Sequence, residues 1–375
     1  MGRRSLLRNS RPTTLSLIDE GLLPNHAYTY QAVRMRDSVA VDASANAQLT
    51  TLDSTSHNWS FSIDTLGDAS SVLYDVAIIS EDDIWAAGEL YLRDSTGQID
   101  PIPYNAARWN GSQWSLLRIL VPIFCGSNTF PSATQAVFAF AQNDVWIASG
   151  ITIMRWNGST FTSLCIPQNV ATGTINKMWG TSRNSVYCVG NNGTIAYYNG
   201  STWQRIESGT TAIMVDVGGY TEPSEENSVV FTVAGATSSD GAKILSLSPT
   251  GVHDTLSPPS ERLGGIWLSN KSTLYVCGLG IWRYKQTRWR QLTGLPSSLF
   301  FIRSVRGSAE NNIFAIAGWT MMHFNGMNWH EYTELPADFR YQGLAVSQNT
   351  IVAVGFTVSG FFADRAAVVI GRLVP

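Results

Sequence analysis

Charge is scarce in this chain. Only 14% of its residues are Asp, Glu, Lys or Arg and the net charge is -3, so there is no basic footprint for nucleic acid or an anionic membrane surface. A hydrophobic content of 44% excludes a disordered chain. No apolar run approaches the ~20 residues that cross a bilayer. The basic start Met1-Gly2-Arg3-Arg4 lacks the apolar core of a secretory signal. Cysteine is limited to Cys125, Cys165, Cys188 and Cys277, with no CxxC or Cys/His spacing for a metal. Buried free thiols are expected, with a disulfide between some pair as the alternative. Cys188 stands two residues before Gly190 and Cys277 one before Gly278, so they should face opposite sides of equivalent strands.

Catalytic signatures are missing too. Gly218-Gly219 and Gly264-Gly265 sit where strands start, and nothing matches GxxxxGK(S/T) or GxSxG. His323 and His330 flank a hairpin turn, where a shared metal is conceivable but not expected. Asp82-Asp83 and Glu225-Glu226 fall in turns, and Asp83 and Asp144 precede strands, which is a structural placement. No cofactor is expected. Long amphipathic helical periodicity is absent throughout.

What the chain does contain is a repeated phrase. Asp144-Val145-Trp146-Ile147-Ala148-Ser149-Gly150 is followed by Arg155-Trp156-Asn157-Gly158-Ser159-Thr160-Phe161. Near-copies pair Asp83–Gly88 with Arg108–Trp114, Ser185–Gly190 with Tyr198–Trp203, and Asn312–Gly318 with Phe324–Trp329. The Gly that closes each phrase recurs as Gly88, Gly150, Gly190, Gly235, Gly278, Gly318 and Gly355, at intervals of 62, 40, 45, 43, 40 and 37 residues. Apart from the first, these fit the four-stranded blade of a propeller. The third unit shows the plan: strands at 175–181, 186–190, 194–198 and 203–206, the last two joined by Asn199-Gly200 read as a two-residue type I′ turn. The seventh unit, 341–374, ends without a fourth strand. His57–Asp64 resembles the fourth-strand phrase 201–208 and precedes the first unit. The predicted fold is therefore all-β: a seven-bladed β-propeller over 57–375, closed by an N-terminal strand that leaves no free edge. Six or eight blades stay open as alternatives, because the fourth unit lacks the Asn-Gly-x-x-Trp phrase.

Residues 1–52 do not carry the repeat. Leu22-Leu23-Pro24-Asn25-His26-Ala27-Tyr28-Thr29-Tyr30-Gln31-Ala32-Val33 resembles the end of a fibronectin type III domain, with His26 where that family has Thr. The resemblance implies a partial β-sandwich in which Tyr28 is the tyrosine-corner residue and Ser38–Thr51 the final strand. With the Trp-rich repeat, which resembles WD- and kelch-like propellers, the chain resembles the large modular secreted or surface proteins of environmental bacteria. That resemblance implies a monomeric piece of a longer extracellular chain.

Function in a repeat lies where the repeat is broken. Three insertions, Glu89–Pro103, Leu120–Thr134 and Thr357–Asp364, all fall on connections between second and third strands or between blades. Such connections leave a propeller on one face, and these three converge on blades seven, one and two. They hold Tyr91, Arg93, Asp94, Asp100, Tyr104, Phe124, Phe130, Phe361 and Phe362 as candidate ligand-binding residues. Asp94 and Asp100 lack the spacing of a calcium loop. Trp59, Trp114, Trp203, Trp289 and Trp329 recur in register and read as core between blades rather than sugar platforms. The Asn-Gly-Ser sequons at Asn110, Asn157 and Asn199 read as turns. The expected function is a non-enzymatic binding or adhesion module for a protein or polysaccharide. A carbohydrate-active enzyme with carboxylates at the axis and a structural spacer are the alternatives.

Overall fold

Short β-rich segments separated by Gly and Asn turns pair in sequence order. The result is seven four-stranded antiparallel sheets in the computed structural model, which describes residues 19, 22–222, 228–235, 241–296, 301–360 and 362–374. Strands a of blades one to seven are Val72–Ser80, Ala136–Ala141, Ile175–Ser182, Met214–Thr221, Leu263–Asn270, Ile302–Ala309 and Phe339–Val346. Each touches strand a of the next blade, and that of blade seven touches that of blade one, so they line an axis within a closed ring. Blade seven takes its outer strand from ahead of blade one: Trp59–Leu66 pairs with Phe362–Leu373, from Leu66 against Ala366 to Trp59 against Leu373. The chain forms two compact units, Met1–Ser54 and Thr55–Pro375.

At four of its seven positions the recurring Gly has a steric cause. A Cβ on Gly88, Gly190, Gly278 or Gly355 would lie 1.8–2.3 Å from the carbonyl oxygen of Val72, Thr174, Arg262 or Arg340, where strand a of the same blade begins. The backbones meet too closely there for any side chain.

The Asn-Gly turns differ from the expected two-residue type. Tyr198 pairs with Trp203, so four residues connect the strands, and Gly200 but not Asn199 has positive φ. The Asn199 carboxamide oxygen accepts from the backbone N–H groups of Ser201 (3.0 Å) and Thr202 (2.8 Å). Asn110, Asn157 and Asn325 repeat this arrangement. The side chain replaces a backbone acceptor, so only the Gly needs the left-handed region. The tight two-residue turn occurs in blade five instead, at Gln286 and Thr287 (φ 50° and 63°). Asp83 and Asp144 are buried and paired with Arg108 and Arg155 of the adjoining phrase. The four outer Trp residues are half-buried and pair across these turns, as in Tyr198–Trp203 (4.9 Å) and Tyr284–Trp289 (4.8 Å). Glu225 and Glu226 lie outside the described residues.

In Met1–Ser54, Ala27–Tyr30 pairs with Ala47–Thr50, and Val33–Arg36 with Val39–Ala43. The single strand expected over 38–51 is therefore two strands in two sheets. Leu23 N–H donates to the Tyr28 hydroxyl at 2.8 Å. Val33, Val39, Val41 and Leu49 stay exposed.

The segment entering the outer strand of blade seven, Trp59–Leu66, is latched to blade six by histidines. His323 Nε2 meets the Asn312 carboxamide oxygen at 2.9 Å, while the Asn312 amide nitrogen donates to Ser308. Nε2 then carries the proton, leaving His323 Nδ1 as an acceptor that faces His57 Nδ1 at 2.8 Å. His330 is the cross-strand neighbour of His323, and its ring lies 5.1 Å from that of His57. Burial, with His57 and His330 adding to it, lowers the His323 pKa to about 3. The unfolded chain takes up this proton near pH 6.5 and the folded one only near 3, so the neutral ring favours folding above 6.5. Stability should fall, by up to about 1.4 kcal/mol per pH unit, as pH drops from about 6.5 towards 3. Urea unfolding at pH 7 and 4.5 measures this, and His323→Gln should flatten the dependence.

Candidate functional site

Two of the three insertions, 89–103 and 357–364, are bonded to each other through residues 67–70, and the third, 120–134, is bonded to the strands of blade one. Blade one's b–c insertion folds on its own polar groups. The Asp94 carboxylate accepts from Thr96 N–H (2.8 Å), the Thr96 hydroxyl (2.6 Å) and Gln98 N–H (3.1 Å), and these bonds, the Thr96 hydroxyl first, lower its pKa. Arg93 donates to Gly97 O at 2.7 Å and lies 3.7 Å from Asp68. Asp100 accepts from Ile102 N–H and is ion-paired with Arg118, whose guanidinium lies 4.3 Å over the Tyr104 ring. The Tyr91 hydroxyl donates to Glu89, and burial together with that carboxylate pushes its pKa up to about 12. These five candidate residues come together, but mostly to satisfy the insertion itself.

The d–a insertion is a small hairpin in which Val121 pairs with Phe130 and Pro122 with Thr129. Thr134 and Asn105 bond it to blade one. Cys125, at its tip, forms a disulfide with Cys165 at the end of blade two's strand d. This corrects the expectation that the thiols are free. Packing of the hairpin on blade two brings two cysteines 40 residues apart to a Cα separation of 5.8 Å, within disulfide reach. Cys188 and Cys277 are free and buried, one packed toward blade two and the other toward blade six. Beside the disulfide, Phe124 (φ 49°) and Cys125 (φ 61°) both adopt the left-handed region, which disfavours non-Gly residues. Phe124 is 83% exposed and Phe130 41%. A groove of about 730 Å³ runs between this hairpin and residues 168–174, walled by Val121, Pro122, Phe124, Ile151 and Ala171.

The blade-seven insertion is not a loop. Strands b (Thr350–Ser359) and c (Phe362–Leu373) run on into it, pairing Ser359 with Phe362. Phe362 is 79% exposed at the tip, and Phe361 lies outside the described residues. Ala363 O accepts from Ser70 N–H, Arg365 donates to Gly67 O, and Asp68 N–H donates to Tyr91 O, which links this hairpin to the blade-one insertion.

The axis holds what the sequence reading missed. In six blades a β-bulge interrupts strand a just after the residue facing the end of strand b, leaving Tyr74, Asn176, Val215, Gly264, Arg303 and Gln342 unpaired. All six line an axial cavity of about 410 Å³. Below them two matching clamps each span three blades. Asp75 of blade one accepts from Val137 N–H of blade two (3.0 Å) and pairs with Lys177 of blade three. Asp216 of blade four accepts from Ile266 N–H of blade five (2.8 Å) and pairs through both oxygens with Arg306 of blade six (2.9 Å each). Burial works to lower the Arg306 pKa, but Asp216 overrides it and holds it above the ordinary value. A sequence signal existed: an acid or a cation recurs at the same place in strand a, as Asp75, Lys177 and Asp216.

No protein-family model matches this sequence, and no curated protein matches it. Solved structures match in fold. YCF48 bound to D1 peptide is 14% identical with a TM-score of 0.60, the match covering 84% of this chain and 96% of that one. The WD40 β-propeller domain of Doa1 is 13% identical (TM-score 0.59; 83% and 96% covered), and the RRP9 WD40 repeats are 12% identical (TM-score 0.59; 83% and 97% covered). The chain is thus a seven-bladed β-propeller resembling the WD40 and YCF48 propellers.

Proposed function

We propose that this chain is a non-enzymatic protein-binding module that docks an extended, partly apolar segment of a partner on the b–c/d–a face of blades one and two. One observation carries the reading: an exposed Phe124 on a strained backbone, fixed by the Cys125–Cys165 disulfide beside a walled groove. Exposure and strain both oppose folding here, and rigid aromatic anchors beside a pocket are what dominates binding at interfaces. One fold neighbour is a propeller bound to a peptide. The paired state of Asp75 and Asp216 weighs against the axial carboxylates of a glycosidase. The disulfide supports a location outside the reducing cytoplasm. The fibronectin-like reading of the first 52 residues is supported by the Tyr28 hydroxyl bond and the uncovered valines, and closure of the ring by strand Trp59–Leu66 is supported by its pairing. A polysaccharide ligand has no comparable support.

Selection of a displayed peptide library on the oxidised protein tests this. Enriched peptides should be rich in aromatic and branched apolar residues. Their binding should weaken at least about tenfold in Phe124→Asp, the scale of losing one interface anchor, and should weaken on reduction. Peptides that bind Phe124→Asp at full strength would remove the assignment.

A further inference from the structure

We propose that the axial cavity is an anion site that takes a carboxylate between Arg303 and Arg262. It lies beyond the apolar groove and does not depend on the docking reading. Four cations line this cavity, Lys177, Arg262, Arg303 and Arg306, against two carboxylates, Asp75 and Asp216. Lys177 and Arg306 use up those two acids. Arg303 donates through Nε to Gln342 O at 3.1 Å, and the Arg262 guanidinium lies 5.1 Å over the Phe301 ring. Among the described residues no carboxylate pairs with either. Two guanidiniums at the wall of one cavity therefore stand without a counter-charge. Both side chains are exposed to solvent, so a ligand entering the cavity can reach them.

The backbones of blades five and six close up beside this wall. Gly264, the bulged residue of blade five, stands between the two arginines in the ring. A Cβ on it would lie 2.4 Å from Ile302 O and 3.0 Å from Arg303 O, so blades five and six meet there backbone to backbone. The bulge at Arg303 puts an unpaired residue at the cavity wall beside the paired Ser304 and Arg306. Asn176 and Gln342 add carboxamides to the lining. A guanidinium fork matches the two oxygens of a carboxylate, and the volume is that of a small-ligand pocket. The carboxylate has two possible sources, a free dicarboxylate or an acidic side chain of a bound protein.

Binding to the whole chain at low salt separates them. Succinate is titrated by calorimetry and a fluorescently labelled oligoglutamate by polarisation, with inorganic phosphate as the comparison. At least one of the two carboxylate probes should bind, and Arg303→Gln or Arg262→Gln should weaken it about tenfold or more, the scale of one charge-assisted hydrogen bond. Arg288→Gln, on the outer strand of blade five, should leave it unchanged. Binding of succinate identifies a free acid, and binding of oligoglutamate alone an acid carried by a protein. No binding of either at millimolar concentration, full binding by Arg303→Gln, or tighter binding of phosphate would overturn the assignment. If thermal melting shows that Arg303→Gln does not fold, Arg303→Lys keeps the charge and removes the fork, and undiminished binding there overturns it equally. Binding here with no peptide selected at Phe124, or the reverse, distinguishes failure of this site from failure of the docking face.

Discussion

Replacing Asp216 with Ala should lower the stability of the propeller by about 3–5 kcal/mol, the cost of leaving a buried cation without its partner. The Arg306 side chain is 17% exposed and that of Asp216 4%, and both guanidinium amino groups bond the carboxylate. The same carboxylate takes Ile266 N–H, so the substitution also leaves a buried backbone donor of blade five unmet. One side chain thus serves three consecutive blades. Asp216→Leu combined with Arg306→Met should recover most of the loss, because it removes both charges instead of stranding one. Urea denaturation of the single and double variants measures this. A loss below about 1 kcal/mol in Asp216→Ala would mean that Arg306 finds water, and the clamp would not be a structural element.

Trp59→Ala should cost a similar amount, about 3–5 kcal/mol, the range for deleting a buried large aromatic. Trp59 is 6% exposed, meets Phe314 of blade six edge-to-face at 5.0 Å and belongs to the core shared by blades six and seven. Its consequence should exceed that of an ordinary cavity. Strand Trp59–Leu66 is joined to its neighbour Phe362–Leu373 by hydrogen bonds and packing, with no hairpin between them. If it leaves, the strand carrying Val368 and Ile370 becomes an open edge, which invites pairing with another molecule. Chemical denaturation combined with size-exclusion chromatography checks both parts. A monomeric variant of near wild-type stability would show that the strand is dispensable for closing the ring.

The ring was legible because its constraint is steric and local. Gly88, Gly190, Gly278 and Gly355 cannot be replaced without striking a carbonyl, so the mark survives in the sequence at blade spacing. The Asn-Gly turns were legible as turns but not as their type, because the Asn side chain replaces a backbone acceptor and lengthens the connection to four residues. The insertions were legible as breaks in period. What their residues do was less so: Arg93, Asp94 and Asp100 bond the chain of their own insertion, since a long connection must first satisfy its own polar groups. The disulfide was hidden because Cys125 lies in an insertion outside the repeat and meets Cys165 only once blade two has folded against that insertion. The axial cavity was hidden for a subtler reason. A bulge adds one residue to a strand, and one residue is too small a slip to register against a repeat of about 40.

The claim at the centre is that partners are read on the b–c/d–a face of blades one and two. Hydrogen–deuterium exchange of the oxidised protein, with and without a peptide from the selection, tests it most directly. Slowed exchange is expected in residues 121–134 and 168–174, which flank the groove, with little change on the turns at Asn157, Asn199 and Asn325. Slowed exchange confined to those turns or to the outer strands, with the groove unchanged, would contradict it.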